Sequence, residues 1–112
     1  MILATLRLII RPERRHDFLA AIRGMLEPAR VERGCLSCHF YKDVENRSAF
    51  VLMEEWETQQ DLERHLRTDN QRRLLVLMDL LRTKPEFRFE TVSDTAGLDL
   101  IENVLKEDDE NR

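Results

Sequence analysis

The amino-acid sequence predicts one α+β domain with the element order β-α-β-β-α-β. Four segments show the alternation or the β-branched content of strands, and two show the three-to-four-residue apolar spacing of amphipathic helices. With 112 residues, the chain can form one hydrophobic core but not two. This order of elements is that of the ferredoxin-like fold, in which both helices cover one face of an antiparallel sheet.

The chain begins with a strand and an amphipathic helix. The strand runs from Ile2 to Ile10, with aliphatic side chains at every second position. Pro12 stands where a first helical residue would. The apolar stripe that follows comprises Phe18, Leu19, Ile22, Met25, Leu26 and Ala29. Pro28 lies inside this stripe, where its ring would press on the carbonyl of Gly24, so we expect the helix to kink or break there.

A hairpin follows the first helix. Gly34 marks the turn into the second strand, Cys35 to Lys42. The polar residues 43–48 form the turn before the third strand, Ala49 to Trp56. These two strands are expected to pair directly.

The second helix begins with a near-match to a capping box, Thr58-Gln59-Gln60-Asp61, and Asp69 or Asn70 can cap a second helical segment. From Leu74 to Leu81 nearly every residue is apolar. This predicts burial on two sides, by the chain's own sheet and by something else. Pro85 is expected to end the helix.

The last strand and an acidic extension complete the chain. Phe87 and Phe89 alternate with charged residues up to Val92, which predicts the fourth strand. Residues 1–92 therefore form the domain, and residues 93–112 form an extension with seven acidic and two basic side chains. Its apolar part is expected to dock and its charged tip to fray.

The net charge of −4 comes from this extension, because residues 1–92 carry 16 basic and 15 acidic side chains. This balance does not indicate a nucleic acid or an anionic membrane as partner. No apolar run is long enough to cross a membrane, and the first residues lack the basic start of a secretory leader. We expect a cytoplasmic protein whose partners are neutral or mildly anionic.

The third strand predicts a second copy of the chain. Phe50 and Leu52 lie on one face of this strand, and Val51 and Met53 lie on the other. A sheet with one face in water would alternate apolar with polar residues instead. An exposed apolar face usually marks an interface, and a two-fold pairing of like faces is the commonest solution. We therefore expect a homodimer.

Cys35-Leu36-Ser37-Cys38 forms a CxxC string. Redox or zinc use requires a turn or a helix N-terminus that brings the two sulfurs together. On a strand, residues three apart point to opposite faces, and no second CxxC completes a zinc site. Core packing in a reducing compartment is the favoured interpretation, and a redox or metal role is the alternative.

The three histidines differ in their predicted surroundings. His65 lies on the apolar stripe of the second helix and points toward the sheet, where an imidazole can transfer a proton near neutral pH. The alternative is a core histidine held by one hydrogen bond. His39, on the second strand, faces either the helices or the partner sheet, and His16 is expected to face solvent.

Other candidates lie at strand ends and inside strands. Trp56 ends the third strand, where pockets often open, and is either a core aromatic or a pocket wall. Arg7 and Arg88 lie inside strands, where each either pairs with a carboxylate such as Glu54 or binds an anion. The chain has no glycine-rich phosphate loop, no dinucleotide fingerprint and no nucleophile with an evident base, so nucleotide chemistry is not expected.

Three strings in this order of elements are recognisable together: Gly34-Cys35, Phe50-Val51-Leu52-Met53-Glu54-Glu55-Trp56, and Asp61-Leu62-Glu63-Arg64-His65-Leu66. On these residues, the chain resembles the antibiotic biosynthesis monooxygenase family, in its quinol-monooxygenase-like branch, over about residues 1–92. The resemblance implies a dimeric α+β barrel with one pocket per subunit, between the helices and the concave sheet. Family oxygenases oxidise phenolic, quinol or polycyclic substrates without metal or flavin, because a phenolate in a dry pocket can itself reduce oxygen.

The resemblance also suggests roles for residues. His65 fits the position of the base, and Trp56 fits a pocket wall. Substrate contacts are expected from Trp56, His39, Arg7 and Asn70. Asn70 stands where relatives often carry a second histidine, and Leu75 stands roughly where haem-degrading relatives carry the axial one, so no haem or other cofactor is expected.

The first hypothesis is therefore a cofactor-independent monooxygenase that oxidises a small quinol or phenol. The alternatives are a non-catalytic ligand-binding or regulatory dimer that holds a hydrophobic metabolite, and a small isomerase. Polar partners around His65 would favour catalysis, whereas an entirely apolar cavity would favour binding.

Overall fold

The computed structural model describes residues 1–111 and confirms the α+β fold. Its elements are β1 (Ile2–Ile9), α1 (Arg15–Arg30), β2 (Cys35–Lys42), β3 (Ala49–Trp56), α2 (Gln59–Leu66), α3 (Asp69–Met78), β4 (Glu86–Thr91) and α4 (Leu98–Glu110). A short 3₁₀ turn, Pro12–Arg14, precedes α1. The strands form one antiparallel sheet in the order β2-β3-β1-β4, which is the ferredoxin-like arrangement.

The helices α1, α2 and α3 cover one face of this sheet. Buried and half-buried residues alternate along β1, and the buried ones face the helices. Leu6 of β1 lies opposite Leu52 of β3, and Leu8 lies opposite Phe50, so both strands direct their aliphatic and aromatic side chains into one core. The least exposed large side chains of this core are Trp56, Leu8, Ile10, Ile22 and Cys38.

Of the kink or break predicted at Pro28, the break is wrong, because α1 continues to Arg30. A proline near a helix C-terminus removes only one late hydrogen bond, so its cost is lower than in mid-helix. The last turn is also tied to the sheet, since Nε of Arg30 donates a hydrogen bond to the carbonyl of Cys38 at 2.9 Å.

The second helical region is two helices with a threonine cap at each start. Thr58 caps α2 and accepts a hydrogen bond from the amide of Asp61, as the sequence predicts. Thr68 caps α3 in the same way, so the cap lies one residue before the predicted Asp69 or Asn70. The expected stop at Pro85 is also wrong, because α3 ends at Met78.

Three apolar surfaces of the single chain remain uncovered. One is the sheet face opposite the helices, where Val51 and Met53 are half-buried. The second is the outer side of α3, so within one chain the segment from Leu74 onward is buried on one side only. The third is α4, whose residues are all exposed; the predicted docking of the extension does not occur within the chain.

The acidic end of the chain is helical through Glu110, so most of the tip that was expected to fray belongs to α4. Arg112, the last residue of that tip, lies outside the described residues. None of the helices in residues 1–111 is both long enough and apolar enough to cross a membrane.

The turn between α1 and β2 depends on Gly34. This residue has a φ of 83°, and a Cβ added to it would overlap the side chain of Asp61 in α2. Asp61 is itself held by hydrogen bonds from the Thr58 hydroxyl at 2.8 Å and from Arg64 at 2.9 Å, and these bonds lower the pKa of its carboxyl. The turn and the start of α2 therefore pack as one unit.

Gly34→Ala is expected to lower the free energy of unfolding by about 2–4 kcal/mol, because it combines backbone strain with the overlap on Asp61. Gly24→Ala is the matched control, since a Cβ there meets no atom within 4 Å. That substitution, in exposed helix, should stabilise the protein by about 0.5–1 kcal/mol. Urea unfolding measures both, and equal effects of the two substitutions would contradict the role given to Gly34.

Candidate functional site

His65 lies between two carboxylates under the helices. Its side chain is almost fully buried, and its Nδ1 donates a hydrogen bond to Oε2 of Glu32 at 2.8 Å. Its Nε2 lies 3.4 Å from Oε2 of Glu54. Glu32 comes from the turn before β2, and Glu54 comes from the helix-facing side of β3. The fold therefore assembles a carboxylate–imidazole–carboxylate row from three separate segments.

Glu54 is a buried carboxylate with several weak donors around it. The indole nitrogen of Trp56 lies 3.4 Å from its Oε1, and the Cys38 thiol lies 3.8 Å from its Oε2. The Trp56 ring also stacks on the His65 ring, with centroids 4.5 Å apart. These contacts hold the carboxylate in place but leave it able to take a stronger partner, such as a proton or a ligand hydroxyl.

The two nitrogens of His65 have different roles. The short bond to Glu32 fixes the proton on Nδ1, which leaves Nε2 as the nitrogen that gains or loses a proton. Nε2 is buried and lacks a hydrogen bond of good geometry, because 3.4 Å to Glu54 is long for such a contact. Nε2 and the Glu54 carboxylate can therefore hold a proton between them.

The pKa of His65 is raised above its ordinary value. Burial by itself would lower this pKa, but the nearby Glu54 carboxylate, followed by the hydrogen bond and charge of Glu32, more than offsets it. The imidazolium form is therefore stabilised between the two carboxylates. A histidine in this position is a stronger base than one in water.

Two small cavities meet at Glu54. The first opens beside β4, and its apolar walls include Leu66, Leu74, Phe87 and Phe89. The second lies beneath α1 and α3 and is lined by His65 and Asn70 among mostly apolar side chains. Glu54 and Gln71 line both cavities. Each cavity measures about 20 Å³, which is room for about one water molecule.

Two of the residues predicted from the sequence lie beside His65 and two lie elsewhere. Trp56 is fully buried behind His65 and lines neither cavity. Asn70 lines the second cavity and donates a hydrogen bond to the carbonyl of Met25 at 3.0 Å. His39 and Arg7 pair with Met53 and Val51 of β3, so they lie on the opposite sheet face and are not part of this cluster.

Cys35 and Cys38 do not point to opposite faces of β2, as the strand alternation predicted. A bulge between Cys35 and Ser37 shifts the register of the strand. Both cysteines consequently face the helices, where Cys38 is buried in the core and Cys35 packs against it. Both are free thiols, and burial together with the Glu54 charge raises the pKa of Cys38 to about 12. The thiols therefore stay protonated, which supports a packing role. Within residues 1–111, no group of three or more His, Cys, Asp or Glu side chains is arranged to hold a metal ion.

The two carboxylates that flank His65 were not among the site residues predicted from the sequence. Glu54 could have been recognised from the sequence as a candidate, because it is an acidic residue at a helix-facing position between Leu52 and Trp56. Such a position usually holds an apolar residue unless the charge is paired. Glu32 carried no comparable signal, since it lies in a polar turn and reaches His65 only through the fold.

Comparisons with known proteins agree with this fold and give it a family. Residues 1–75 match the sequence profile described as "Antibiotic biosynthesis monooxygenase". The chain belongs to this family. It is also 28% identical over 90 residues to an uncharacterised protein of Synechocystis sp., a match that covers 80% of this chain and 61% of that protein. The matched part is thus less than two thirds of that relative.

Solved structures of other proteins share the fold. A protein from Deinococcus radiodurans assigned to the same family superposes with a TM-score of 0.81 at 16% identity, covering 87% of this chain and 97% of the other. A second antibiotic biosynthesis monooxygenase gives 0.75 at 25% identity, over 84% and 100% of the two chains. A protein from Mycobacterium tuberculosis gives 0.78 at 23% identity, over 86% and 98%.

Glu32→Gln is expected to lower the pKa of His65, because it replaces the carboxylate that stabilises the imidazolium with a neutral amide. Glu63→Gln, which makes the same change at an exposed position of α2, should leave this pKa unchanged. An NMR titration of the His65 ring measures both. A pKa that does not move in Glu32→Gln would contradict the assigned contact.

The same pKa gives a pH dependence of stability. A folded-state pKa that is raised contributes stability in full below the unfolded value of about 6.5, and this contribution is lost as pH rises through the folded pKa. The stability of the wild type relative to His65→Gln should therefore fall with rising pH in that window. Urea unfolding over a pH series tests the sign.

Proposed function

We propose that the chain is a cofactor-independent monooxygenase that oxidises a small quinol or phenol. The observation that carries the proposal is the His65 imidazole held between Glu32 and Glu54. Glu54 also lines the first cavity, the one beside β4, which we call the cleft. A buried base with polar partners fits proton removal, whereas passive binding of a hydrophobic molecule would not need it. Family membership supports the reaction class and leaves the substrate to experiment.

The proposed chemistry begins with removal of a proton from a substrate hydroxyl. The hydroxyl approaches the Glu54 carboxylate from the cleft, and the proton is accepted by the pair formed by Glu54 and Nε2 of His65. Glu32 then stabilises the imidazolium through its bond to Nδ1. The substrate anion supplies the electrons that reduce oxygen; one oxygen atom enters the quinone product, and the other leaves as water.

The walls of the cleft are apolar and partly aromatic, which suits a quinol ring. They must move to admit it, because the cavity is small. Phe87 and Phe89 lie side by side, with ring centroids 6.4 Å apart, and offer a flat apolar wall to an aromatic ring. A cavity of about 20 Å³ does not hold a quinol. The side chains at its mouth, Leu66, Phe87 and Phe89, are 38–48% exposed and are therefore free to change rotamer on binding.

His65→Gln and Glu54→Gln are each expected to lower the rate of oxygen consumption with a reduced naphthoquinone or benzoquinone by about 10²–10⁴-fold, because each removes one partner in proton transfer. Glu63→Gln is the matched control and should keep the wild-type rate. An oxygen electrode measures the rates, and circular dichroism checks that each variant is folded.

Three results would count against the proposal. Equal rates in wild type and His65→Gln would remove His65 from the mechanism. Tight binding of the quinol without any oxygen consumption would favour the alternative of a ligand-binding dimer, and conversion without oxygen would favour an isomerase.

We also propose that two copies pair through the sheet faces that the helices leave open. The uncovered face carries Leu3, Ile9, Val51 and Met53, all half-buried in the single chain. An apolar face of this kind is usually covered by a second protein surface, and a two-fold pairing buries the same residues on both copies. This arrangement would place the cleft on the outer side of each sheet.

Val51→Glu is expected to convert a dimer into a monomer, because it places a charge in the middle of the proposed interface. Val44→Glu adds the same charge in the β2–β3 turn, where the side chain is 96% exposed, and should leave the dimer intact. Sedimentation velocity at low micromolar concentration measures both. A monomeric wild type would contradict this arrangement.

A further inference from the structure

The last helix of the chain has an apolar stripe that nothing in its own chain covers. The stripe comprises Leu98, Leu100, Ile101, Val104 and Leu105, which are 53–67% exposed. Their spacing places them within about half of the helix circumference, at 100° per residue. An isolated helix of 13 residues is marginal in water, so a helix of this kind normally depends on a surface to pack against.

The shape of the molecule shows that α4 projects from the domain. The radius of gyration is 17.6 Å, whereas a compact chain of this length has about 13 Å. The longest dimension is 57 Å, against 34 and 21 Å in the other two directions. A helix that extends away from its own domain is in a position to reach a neighbouring molecule.

A second uncovered apolar surface lies on the outer side of α3. Val76, Leu77 and Leu80 line a shallow groove there. Val76 and Leu80 are 68% and 54% exposed, and Leu75 beside them is 46% exposed. This is the segment whose composition predicts burial on two sides, and the sheet covers only one of them. We refer to this surface as the α3 groove; its lining residues are Asp69, Arg72, Arg73, Val76, Leu77 and Leu80.

The charges of the two surfaces are complementary. The helix α4 carries six acidic residues and one lysine, and acidic side chains flank both edges of its stripe. The α3 groove carries two arginines and one carboxylate. Arg72 pairs with Asp69, which is highly exposed, and Arg73 forms no ion pair within residues 1–111. Pairing two copies of α4 instead would bring twelve like charges together, which is unfavourable.

The two surfaces are of similar length. At about 1.5 Å per residue, the stripe from Leu98 to Leu105 spans about 10 Å, and the helical part of the groove from Arg72 to Leu77 spans about 8 Å. Residues 92–97 connect α4 to β4 without helix or strand, so the helix can be reoriented without unfolding the sheet.

We propose that α4 of one copy docks in the α3 groove of a second copy of the same chain. The stripe of α4 covers Val76, Leu77 and Leu80, and its acidic edges meet Arg72 and Arg73. The exchange is reciprocal in a dimer, so each copy contributes one helix and one groove. This contact is separate from the sheet-face pairing and from the proposed activity.

Site-directed cross-linking tests the proposal. In a background in which Cys35 and Cys38 are replaced by alanine, one preparation carries Val76→Cys and another carries Ile101→Cys. After mixing and mild oxidation, the expected product is a disulfide-linked pair of the two variants at twice the chain mass. Asn103→Cys, on the polar side of α4, is the matched control and should cross-link to Val76→Cys several-fold more slowly.

Two outcomes of the cross-linking overturn the proposal. If the chain carrying both Val76→Cys and Ile101→Cys closes on itself at low concentration while the mixture gives no linked pair, α4 docks on its own chain. If the mixture of Val76→Cys and Ile101→Cys cross-links no faster than the control mixture, the α3 groove does not receive α4. The first result gives a faster-migrating monomer on a non-reducing gel, and the second gives equal amounts of the linked pair in the two mixtures.

A second experiment keeps Cys35 and Cys38, so its result does not depend on how the alanine-substituted protein folds. Lys106 lies in α4, so docking should slow the cut after this residue by a lysine-specific protease, and more at high than at low protein concentration. Arg72→Glu together with Arg73→Glu is expected to speed the cut several-fold and to remove the concentration dependence. Cleavage at one rate in both proteins, at all concentrations, would overturn the proposal.

Discussion

The burial of the Glu54 carboxylate is the constraint on which the site depends. A charged carboxylate on the core face of a sheet is costly unless its environment compensates it. The compensation comes from Trp56, Cys38 and His65, which approach from the same strand, the neighbouring strand and a helix. The position of α2 on the sheet is therefore linked to an electrostatic requirement as well as to apolar packing.

This requirement explains why the turn before β2 is built so tightly. The turn must bring Glu32 to the far nitrogen of the same imidazole, and Gly34 lets the backbone pass beside Asp61 at the start of α2. One end of α2 is thus fixed by Asp61 and its middle by His65. The ring cannot rotate without breaking a bond to Glu32 or its stack on Trp56.

The strand and helix order could be predicted from the sequence because it depends on local periodicity. β1, β2 and β3 occur almost where the alternation places them, and Thr58 caps α2 as expected. The errors arose where a local rule was overridden. Pro28 is tolerated near a helix end, and the bulge after Cys35 turned two cysteines to the same face. Neither effect has a clear signature in one sequence.

The candidate site was predictable only in part, for a related reason. His65 could be chosen because helical periodicity alone directs it toward the sheet. The pairing of His65 with Glu32 joins residues 33 positions apart, and no sequence spacing indicates it. The separation of His39 and Arg7 from the site follows from the register of β2 and β1 against β3, which the sequence left open.

The groups that handle the proton and the aromatic wall of the cleft come from two different parts of the chain. Glu32, Glu54 and His65 lie within residues 1–75, the part that matches the family profile. The wall formed by Phe87 and Phe89 lies beyond it, on an edge strand that pairs only with β1 in the single chain. Substitutions in that strand can reshape what the cleft accepts while the groups that handle the proton stay in place, so substrate preference and chemistry can evolve at separate positions.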